Sequence, residues 1–454
     1  MRALSLAELK IPLAAQLHGA DQAFTGVSTD SRSLQRGDLF VALRGEHFDG
    51  HDYVAQVLEQ GAAAALVAKP VTAAISQLQV ADTQRALGLL GAYNRQLYTG
   101  PLVAITGSSG KTSVKNMVHA VLSRRAKTLA TTGNLNNEIG VPLTLLRLRP
   151  DVAFAVVEMG AAKAGDIDWL CELAKPTVAL LLNAMPAHLQ GFGSVDGVAA
   201  AKGEIFDRLG ASDVAVINAD QRWAKQWRKR AGAATVMDFG LQQPAAISAR
   251  GIQNRGVEGT SFTVSSPVGE MAMRLALPGV HNVANALAAV AVGLACGLSL
   301  TEIRDGLESV QPVDGRLRAV RTPHGTTVVD DCYNANPGSV RAAIDLLAAC
   351  PGRRTLVLGA MLELGEDSVA LHREIGEYAL KAGIDQLWGV GPELAVSVDA
   401  FGTCGRYFED RAAVLPALVG EFGAQDTVLI KGSRSAGMEQ ILHALLPQEM
   451  AQEH

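Results

Sequence analysis

The run AITGSSGKTSVK sets Gly107, Gly110, Lys111 and Thr112 between an apolar stretch and a helical pattern, a combination that can hold a polyphosphate. Glycines let backbone N–H groups turn toward phosphate oxygens, and a helix N-terminus adds the positive end of its dipole. Lys111 then neutralises β/γ charge, the Thr112 hydroxyl can ligate Mg²⁺, and Ser108, Ser109 and Ser113 lie in the same cradle. The position five residues before Gly110 is Ile105, so this is the short G-x-x-G-K-T form of the phosphate loop.

A second segment, VAFAVVEMGAAKAGDI, ends an apolar run at Glu158. In a parallel sheet that residue emerges at the carboxyl edge, the edge that also carries the phosphate loop, where it can hold Mg²⁺. A glutamate at a strand end also serves as a helix cap or a solvated charge; its place beside the loop favours the metal. His188, in LLLNAMPAHLQGFGS, follows another apolar run, and a lone histidine is more often structural. Lys202, in AAAKGEIFDRL, is an ordinary solvated helix residue unless CO₂ converts it to a carbamate, which reverses its charge and adds two oxygen donors for a hard cation.

Further downstream, HNVANALAA carries Asn285, GRLR carries Arg316 and Arg318, DDCYNANPGS carries Asp331, Tyr333, Asn334 and Asn336, and KGSRSAGME carries Lys431, Ser433 and Arg434. An asparagine can read a base edge, a carboxylate suits a ribose hydroxyl, and an arginine stabilises a transferring phosphoryl group. Turn and cap chemistry explains these asparagines equally well.

Such residues need a scaffold, and short apolar runs of strand type recur at 102–106, 152–157, 178–182, 214–217, 326–329, 356–358 and 428–430, alternating with helical patterns. After the first, Val114, Met117, Val118, Val121 and Leu122 fall at i, i+3, i+4, i+7 and i+8, one face of a helix starting near Gly110. Fully apolar strands between amphipathic helices predict an α/β protein whose parallel sheets are covered on both faces. The uncharged stretch 283–301 reaches spanning length, but its Ala and Gly content and Asn285 predict one buried helix of a soluble protein. The first hundred residues read as shorter elements with polar turns, and breaks are expected at Gly100 and Pro101 and near Gln311 and Pro312. Three domains are expected, at 1–99, 100–312 and 313–454.

A chain of 454 residues with 48% hydrophobic and 19% charged types is globular and too long for one core. Forty Lys and Arg against 45 Asp and Glu, a formal net charge of -5, with no dense basic run, argue against extended nucleic-acid binding. Five scattered cysteines without a C-x-x-C pair argue against a zinc site, a redox dithiol or a disulfide framework, and for a reducing cytoplasm. The opening MRALSLAELKIPLAAQL holds Glu8 and Lys10 within its apolar stretch and does not read as an export signal. No heptad or apolar repeat is apparent, so a monomer is expected.

TGSSGKT, TTGNLNNEIGVPLTLL, EMG, HLQGFGS, AKGEIF, HNVANALAA, DGRLR, DDCYNANPGS and KGSRSAGME together resemble the Mur ligase family of ATP-dependent amide-bond-forming enzymes, over nearly the whole chain. NNEIGVPLTLL, the YNANP run and the KGSRS ending are similar to the member that joins D-alanyl-D-alanine to UDP-N-acetylmuramoyl-tripeptide in peptidoglycan synthesis, and the DNPR-type motif of the preceding ligase is absent. STDSR, with Thr29, Asp30, Ser31 and Arg32, and RGEHFDGHDYV are similar to the uridine-nucleotide-binding domain of these two ligases.

The resemblance implies an N-terminal domain for the UDP-sugar peptide, a central phosphate-loop domain for ATP and a C-terminal Rossmann-like domain that closes over both. It implies that Thr112 and Glu158 hold one Mg²⁺ and that His188 and a carbamylated Lys202 hold a second. Asn285 would face adenine, Asp331 the ribose and Arg316 the phosphates, with Tyr333 and Asn336 in the same nucleotide site. Lys111, His188, Lys202 and Arg316 would form the catalytic set, and Lys431, Ser433 and Arg434 would meet substrate. One departure stands out: relatives usually show GDMLELG, whereas residues 359–365 read GAMLELG, with Ala360 where an Asp is expected.

An enzyme of this kind moves the γ-phosphoryl of ATP to a carboxylate, and the amine of the dipeptide then displaces phosphate from the acyl phosphate. Two other readings stay open: an amide ligase of the same family with a different amine acceptor, and a nucleotide-gated ATPase that binds without ligating. A strict requirement for one amine separates the first, and ATP turnover without a carboxylate acceptor marks the second.

Overall fold

The computed structural model describes all residues other than 187–188, 312–314, 316, 419 and 446–454. His188, Arg316 and the expected break at Pro312 lie outside the described residues. Three α/β domains follow one another along the chain, as the apolar runs predict. In the first, strands Gln16–His18, Ser76–Gln79, Ala64–Val67, Asp38–Val41 and Gly26–Ser28 form a sheet in that spatial order, parallel except for its outer pair, Gln16–His18 with Ser76–Gln79. Every residue of Asp38–Val41 and Ala64–Val67 is buried, as strands covered on both faces must be.

Helix Thr83–Gln96 closes this domain, its N-terminus capped by the Asp82 carboxylate, and joins it to the next. Near its end, Asn94 Nδ2 donates to the carbonyls of Leu145 (2.8 Å) and Leu148 (3.2 Å). Arg95 donates to those of Ala174 (2.7 Å) and Lys175 (2.9 Å). Leu145 and Ala174 end the helices Gly140–Leu145 and Asp166–Ala174, so two buried side chains satisfy carbonyls that a helix leaves without partners. The Arg95 charge also sits at the negative end of a helix dipole.

The central sheet has six parallel strands in the order Thr235–Phe239, Val214–Asn218, Val178–Leu181, Leu102–Thr106, Phe154–Glu158, Thr128–Ala130. From Leu102–Thr106 the chain first builds outward on one side and later on the other, which makes the carboxyl end of that strand the switch point where α/β sheets hold ligands. Helix Lys111–Ser123 buries Val114, Met117, Val118, Val121 and Leu122, the predicted stripe, against helices Val280–Ala295 and Leu300–Glu308.

The last pair corrects the expectation of one helix over 283–301. The first helix stops at Ala295, Gly297 takes φ +78°, and Ser299 with Glu302 forms a capping box that starts the second. A three-stranded antiparallel sheet, Ser248–Asn254, Thr260–Ser266 and Gly269–Leu275, also belongs to this domain and was not foreseen.

The C-terminal sheet runs Arg318–Arg321, Thr327–Asp331, Thr427–Lys431, Arg354–Gly359, Gln386–Val390, Gly405–Phe408, parallel apart from its first pair. Among the described residues no helix is long and apolar enough to cross a membrane.

Candidate active site between the central and C-terminal domains

Strand Leu102–Thr106 delivers the phosphate loop to the carboxyl edge of the central sheet. Gly110 turns the chain at φ +82° and caps helix Lys111–Ser123; a Cβ there would lie 2.9 Å from Asn285 Oδ1, so both the turn and the approach of Asn285 need glycine. Lys111 Nζ folds back onto the Gly107 carbonyl at 2.8 Å.

Glu158, only 2% exposed, ends the neighbouring strand, whose register sets it beside Ile105. Thr112 Oγ1 donates to Glu158 Oε2 and Asn136 Nδ2 to Glu158 Oε1, both at 2.9 Å. The hydroxyl and carboxylate expected to share a cation are therefore already neighbours, and both are the hard oxygen donors that Mg²⁺ prefers.

A cavity of about 410 Å³ opens over this loop. Residues 108–113, Glu158 and Asn285 line its central-domain wall; Asp331, Tyr333, Asn336 and Lys431 line the opposite wall. Asp331 and Lys431 are register partners at the ends of adjacent parallel strands, which brings Lys431 Nζ to 2.5 Å from Asp331 Oδ2 and 2.9 Å from the Asn334 carbonyl. Asn336 caps helix Pro337–Ala348, accepting the Ser339 N–H at 2.9 Å, so cap chemistry and cavity lining coincide in one side chain.

His281 lines the same cavity; burial first, then the Lys431 charge, push its imidazole down to about 4. It stays neutral near pH 7.

Of the other expected residues that are described, Lys202, Ser433, Arg434 and the segment 29–32 do not line this cavity. Lys202, on helix Val195–Gly203, is 2% exposed, and its Nζ makes no hydrogen bond among the described residues. Burial, then the Lys111 charge, lower its ammonium to about 7. Ser433 Oγ accepts the Leu362 N–H at 2.9 Å, and Arg434 stacks 5.4 Å from the Tyr333 ring centroid. Thr29, Asp30, Ser31 and Arg32 lie in the N-terminal domain, where Arg32 pairs with Asp30 at 2.7 Å. The departure at Ala360 sits at the end of strand Arg354–Gly359, its carbonyl accepting the Ser433 N–H at 2.9 Å and its methyl buried in the C-terminal core.

Sequence reasoning missed two asparagines. Asn136 fixes the Glu158 carboxylate, and Asn183 fastens the loop, accepting the Ser109 N–H through Oδ1 at 3.0 Å and donating from Nδ2 to the Ser109 carbonyl at 3.1 Å. Both lie in segments already singled out, NLNNEIG and LLLNAMPAH, so the signal was an asparagine next to a strand end or loop.

The fold and the cavity define a three-domain phosphate-loop enzyme, with a cavity walled by the central and C-terminal domains. Family models match three segments: residues 23–90 as the Mur ligase family catalytic domain, 105–293 as the Mur ligase middle domain, and 315–434 as the Mur ligase, glutamate ligase domain. The chain belongs to the Mur ligase family, the ATP-dependent amide ligases.

It is 45% identical over 449 residues to the UDP-N-acetylmuramoyl-tripeptide--D-alanyl-D-alanine ligase of Escherichia coli K12, covering 98% of this chain and 99% of that one. It is 35% identical to the ligase of the same name from Bacillus subtilis, covering 93% of each. The crystal structure of MurF from Acinetobacter baumannii superposes with a TM-score of 0.93 at 37% identity, covering 98% of this chain and 99% of that one. The MurF ligase of Thermotoga maritima in complex with ADP superposes at 0.83 with 28% identity, covering 94% and 98%.

Proposed function

We propose that this chain joins D-alanyl-D-alanine to UDP-N-acetylmuramoyl-tripeptide, forming UDP-N-acetylmuramoyl-pentapeptide for peptidoglycan synthesis while ATP becomes ADP and phosphate. The observation that carries this reading is the end-to-end identity of 45% with a ligase of that specificity. The phosphate loop facing Asp331 and Lys431 across one cavity supports it.

Phosphoryl transfer to a carboxylate brings several negative charges together, so it needs alignment and screening more than covalent help. In this reading Lys111 and the loop N–H groups hold the β- and γ-phosphates, Gly107, Ser108, Ser109, Gly110, Thr112 and Ser113 shape the cradle, and Arg316 screens transferring charge. Asn285 reads adenine, and Asp331, oriented by Lys431, takes the ribose, with Tyr333 and Asn336 beside it. The amine of the dipeptide then attacks the acyl phosphate carbon, the C–N bond forms and phosphate leaves. The wall contributed by the C-terminal domain keeps water from that reactive mixed anhydride.

Mg²⁺ fits the oxygens of Thr112 and Glu158, and when bound it would screen the phosphates. A second ion would be held by His188 and Lys202. The burial of Lys202 without a hydrogen bond among the described residues, its Nζ 6.0 Å from the Phe192 ring centroid, suits a side chain completed by CO₂, because a carbamate replaces a buried amine with an anion carrying two oxygen donors. We assign Thr29, Asp30, Ser31 and Arg32 to the UDP-sugar peptide, and Lys431, Ser433 and Arg434, on the turn after strand Thr427–Lys431, to substrate. The three matched family segments support domain limits at 1–99, 100–312 and 313–454. Both cavity walls come from a single chain, which fits action as a monomer, and the ATP and UDP-linked substrates fit the cytoplasm.

Phosphate release from ATP with UDP-N-acetylmuramoyl-tripeptide, with and without D-alanyl-D-alanine, coupled to the mass of the nucleotide product, tests the reading. A product heavier by one dipeptide residue, with turnover requiring both substrates, is expected. ATP consumption without either would favour a nucleotide-gated switch, and turnover with a different amine alone would overturn the acceptor.

A further inference from the structure

The segment after strand Val178–Leu181 runs alongside the phosphate loop as a strap. Its Asn183 carbonyl accepts the Ser108 N–H at 3.1 Å, and its Asn183 side chain pairs in both directions with the Ser109 main chain. Two residues on, the Met185 N–H donates to Ser108 Oγ at 3.0 Å and the Met185 carbonyl accepts from that hydroxyl at 3.2 Å. Both serines of the loop are thus shaped by the strap.

The Met185 side chain leaves the central domain. A Cβ built on Gly338 would lie 2.6 Å from Met185 Sδ. Gly338 is the second residue of helix Pro337–Ala348 in the C-terminal domain, and its φ is not in the left-handed region. Glycine is therefore not needed for the backbone there, and within a helix it is less favourable than alanine. What the missing side chain permits is the close approach of Met185.

We propose that Met185 is a positioning residue that couples the seating of the C-terminal domain to the shape of the phosphate loop. When helix Pro337–Ala348 abuts Met185, strap residues 183–185 are pressed onto Ser108 and Ser109. When the helix withdraws, the strap loses that support. Nucleotide still binds to a loosened loop, but its γ-phosphoryl is less well aligned, so the loss falls on turnover more than on binding. The catalytic readout of this inference rests on the ligase reading above.

Gly338→Val forces Met185 aside and is expected to lower the ligation kcat about tenfold or more, with the KM for ATP changed less than about threefold. Met185→Ala removes the same support from the strap's side and is expected to lower kcat by a similar factor, so the double variant loses no more than about threefold beyond either single one. A Gly338→Val or a Met185→Ala enzyme with wild-type kcat, or losses that multiply in the double variant, overturns the coupling. If Gly338→Val does not fold, Met185→Ala alone decides the matter, wild-type kcat overturning the coupling.

Amide hydrogen exchange over residues 108–113 supplies a readout independent of catalysis. It is expected to quicken in Gly338→Val and in Met185→Ala alike, and unchanged exchange in either overturns the coupling. A wild-type protein that forms no heavier nucleotide product would sink the ligase reading while leaving the exchange experiment to judge Met185.

Discussion

Thr112 and Asn136 hold opposite oxygens of one buried carboxylate, Glu158, each at 2.9 Å. Glu158→Gln keeps the shape but removes the charge and one acceptor, so that Thr112 must turn from donor to acceptor if Asn136 keeps its bond. Ligation kcat is expected to fall about a hundredfold or more. Binding of ADP in the presence of EDTA is expected to change by less than about threefold. A variant with wild-type kcat would remove Glu158 from the metal site.

Lys202→Ala is expected to abolish ligation, and a small carboxylate such as formate or acetate is expected to restore part of it by supplying the oxygens of the carbamate. Lys202 is buried, so the alanine variant leaves a space that such an anion can enter. Full activity of Lys202→Ala without any additive would end the case for a ligand there.

The ion pair of Lys431 with Asp331 is buried on both sides. Removing one partner costs far more than the pair contributes, because the remaining charge keeps its desolvation penalty. Lys431→Met is expected to destabilise the C-terminal domain by about 3–5 kcal/mol in a urea titration. The KM for ATP should rise with it. A midpoint unchanged from wild type would show that Asp331 is held by other groups.

Glu302 offers a pH test away from the cavity. The Arg125 side chain, followed by Ser299, holds its carboxyl at about 2, below the ordinary 4.5. A carboxylate depressed in the folded state adds stability that is full above its unfolded pKa and disappears as pH falls through the folded value. The gap in thermal midpoint between wild type and Glu302→Gln should therefore be constant from pH 7 to about 4.5, then close toward pH 2. Because the pair is exposed, added salt should narrow the gap as well. A gap that widens in acid contradicts the assignment.

Ala360→Asp is expected to keep at least about a tenth of wild-type kcat, the loss a modest local repacking produces. The Ser433 hydroxyl is a donor on the neighbouring turn, whose N–H already meets the Ala360 carbonyl, and its own bond to the Ala335 carbonyl is long at 3.5 Å. A larger loss would mean that the turn has been rebuilt around alanine.

The phosphate loop, the stripe of helix Lys111–Ser123 and Glu158 were legible because each is local: a strand, its end and the next turn. Asn183 was not, since its role depends on strand Val178–Leu181 lying beside Leu102–Thr106, a pairing 75 residues apart in sequence for Ala179 with Ala104. The ion pair of Asp331 and Lys431 likewise exists only because their strands are neighbours in the sheet. The helix break at Gly297 carried a local signal, Ser299 three residues before Glu302, which the long uncharged run concealed. The antiparallel sheet was written in the alternating burial of Thr260–Ser266 and Gly269–Leu275, a period of two that apolar runs alone do not reveal.

The joint made by Asn94 and Arg95 bears on how such enzymes can be recombined. The carbonyls they satisfy belong to helices of the central domain, so the first domain and its neighbour share one set of hydrogen bonds. A chimera cut near residue 100 that exchanges the first domain alone must bring donors matching two foreign helix ends, or leave those carbonyls bare. The first two domains are thus most readily moved as a pair, while the C-terminal domain meets them through Met185, the rim of the cavity and Val257, which packs against its core.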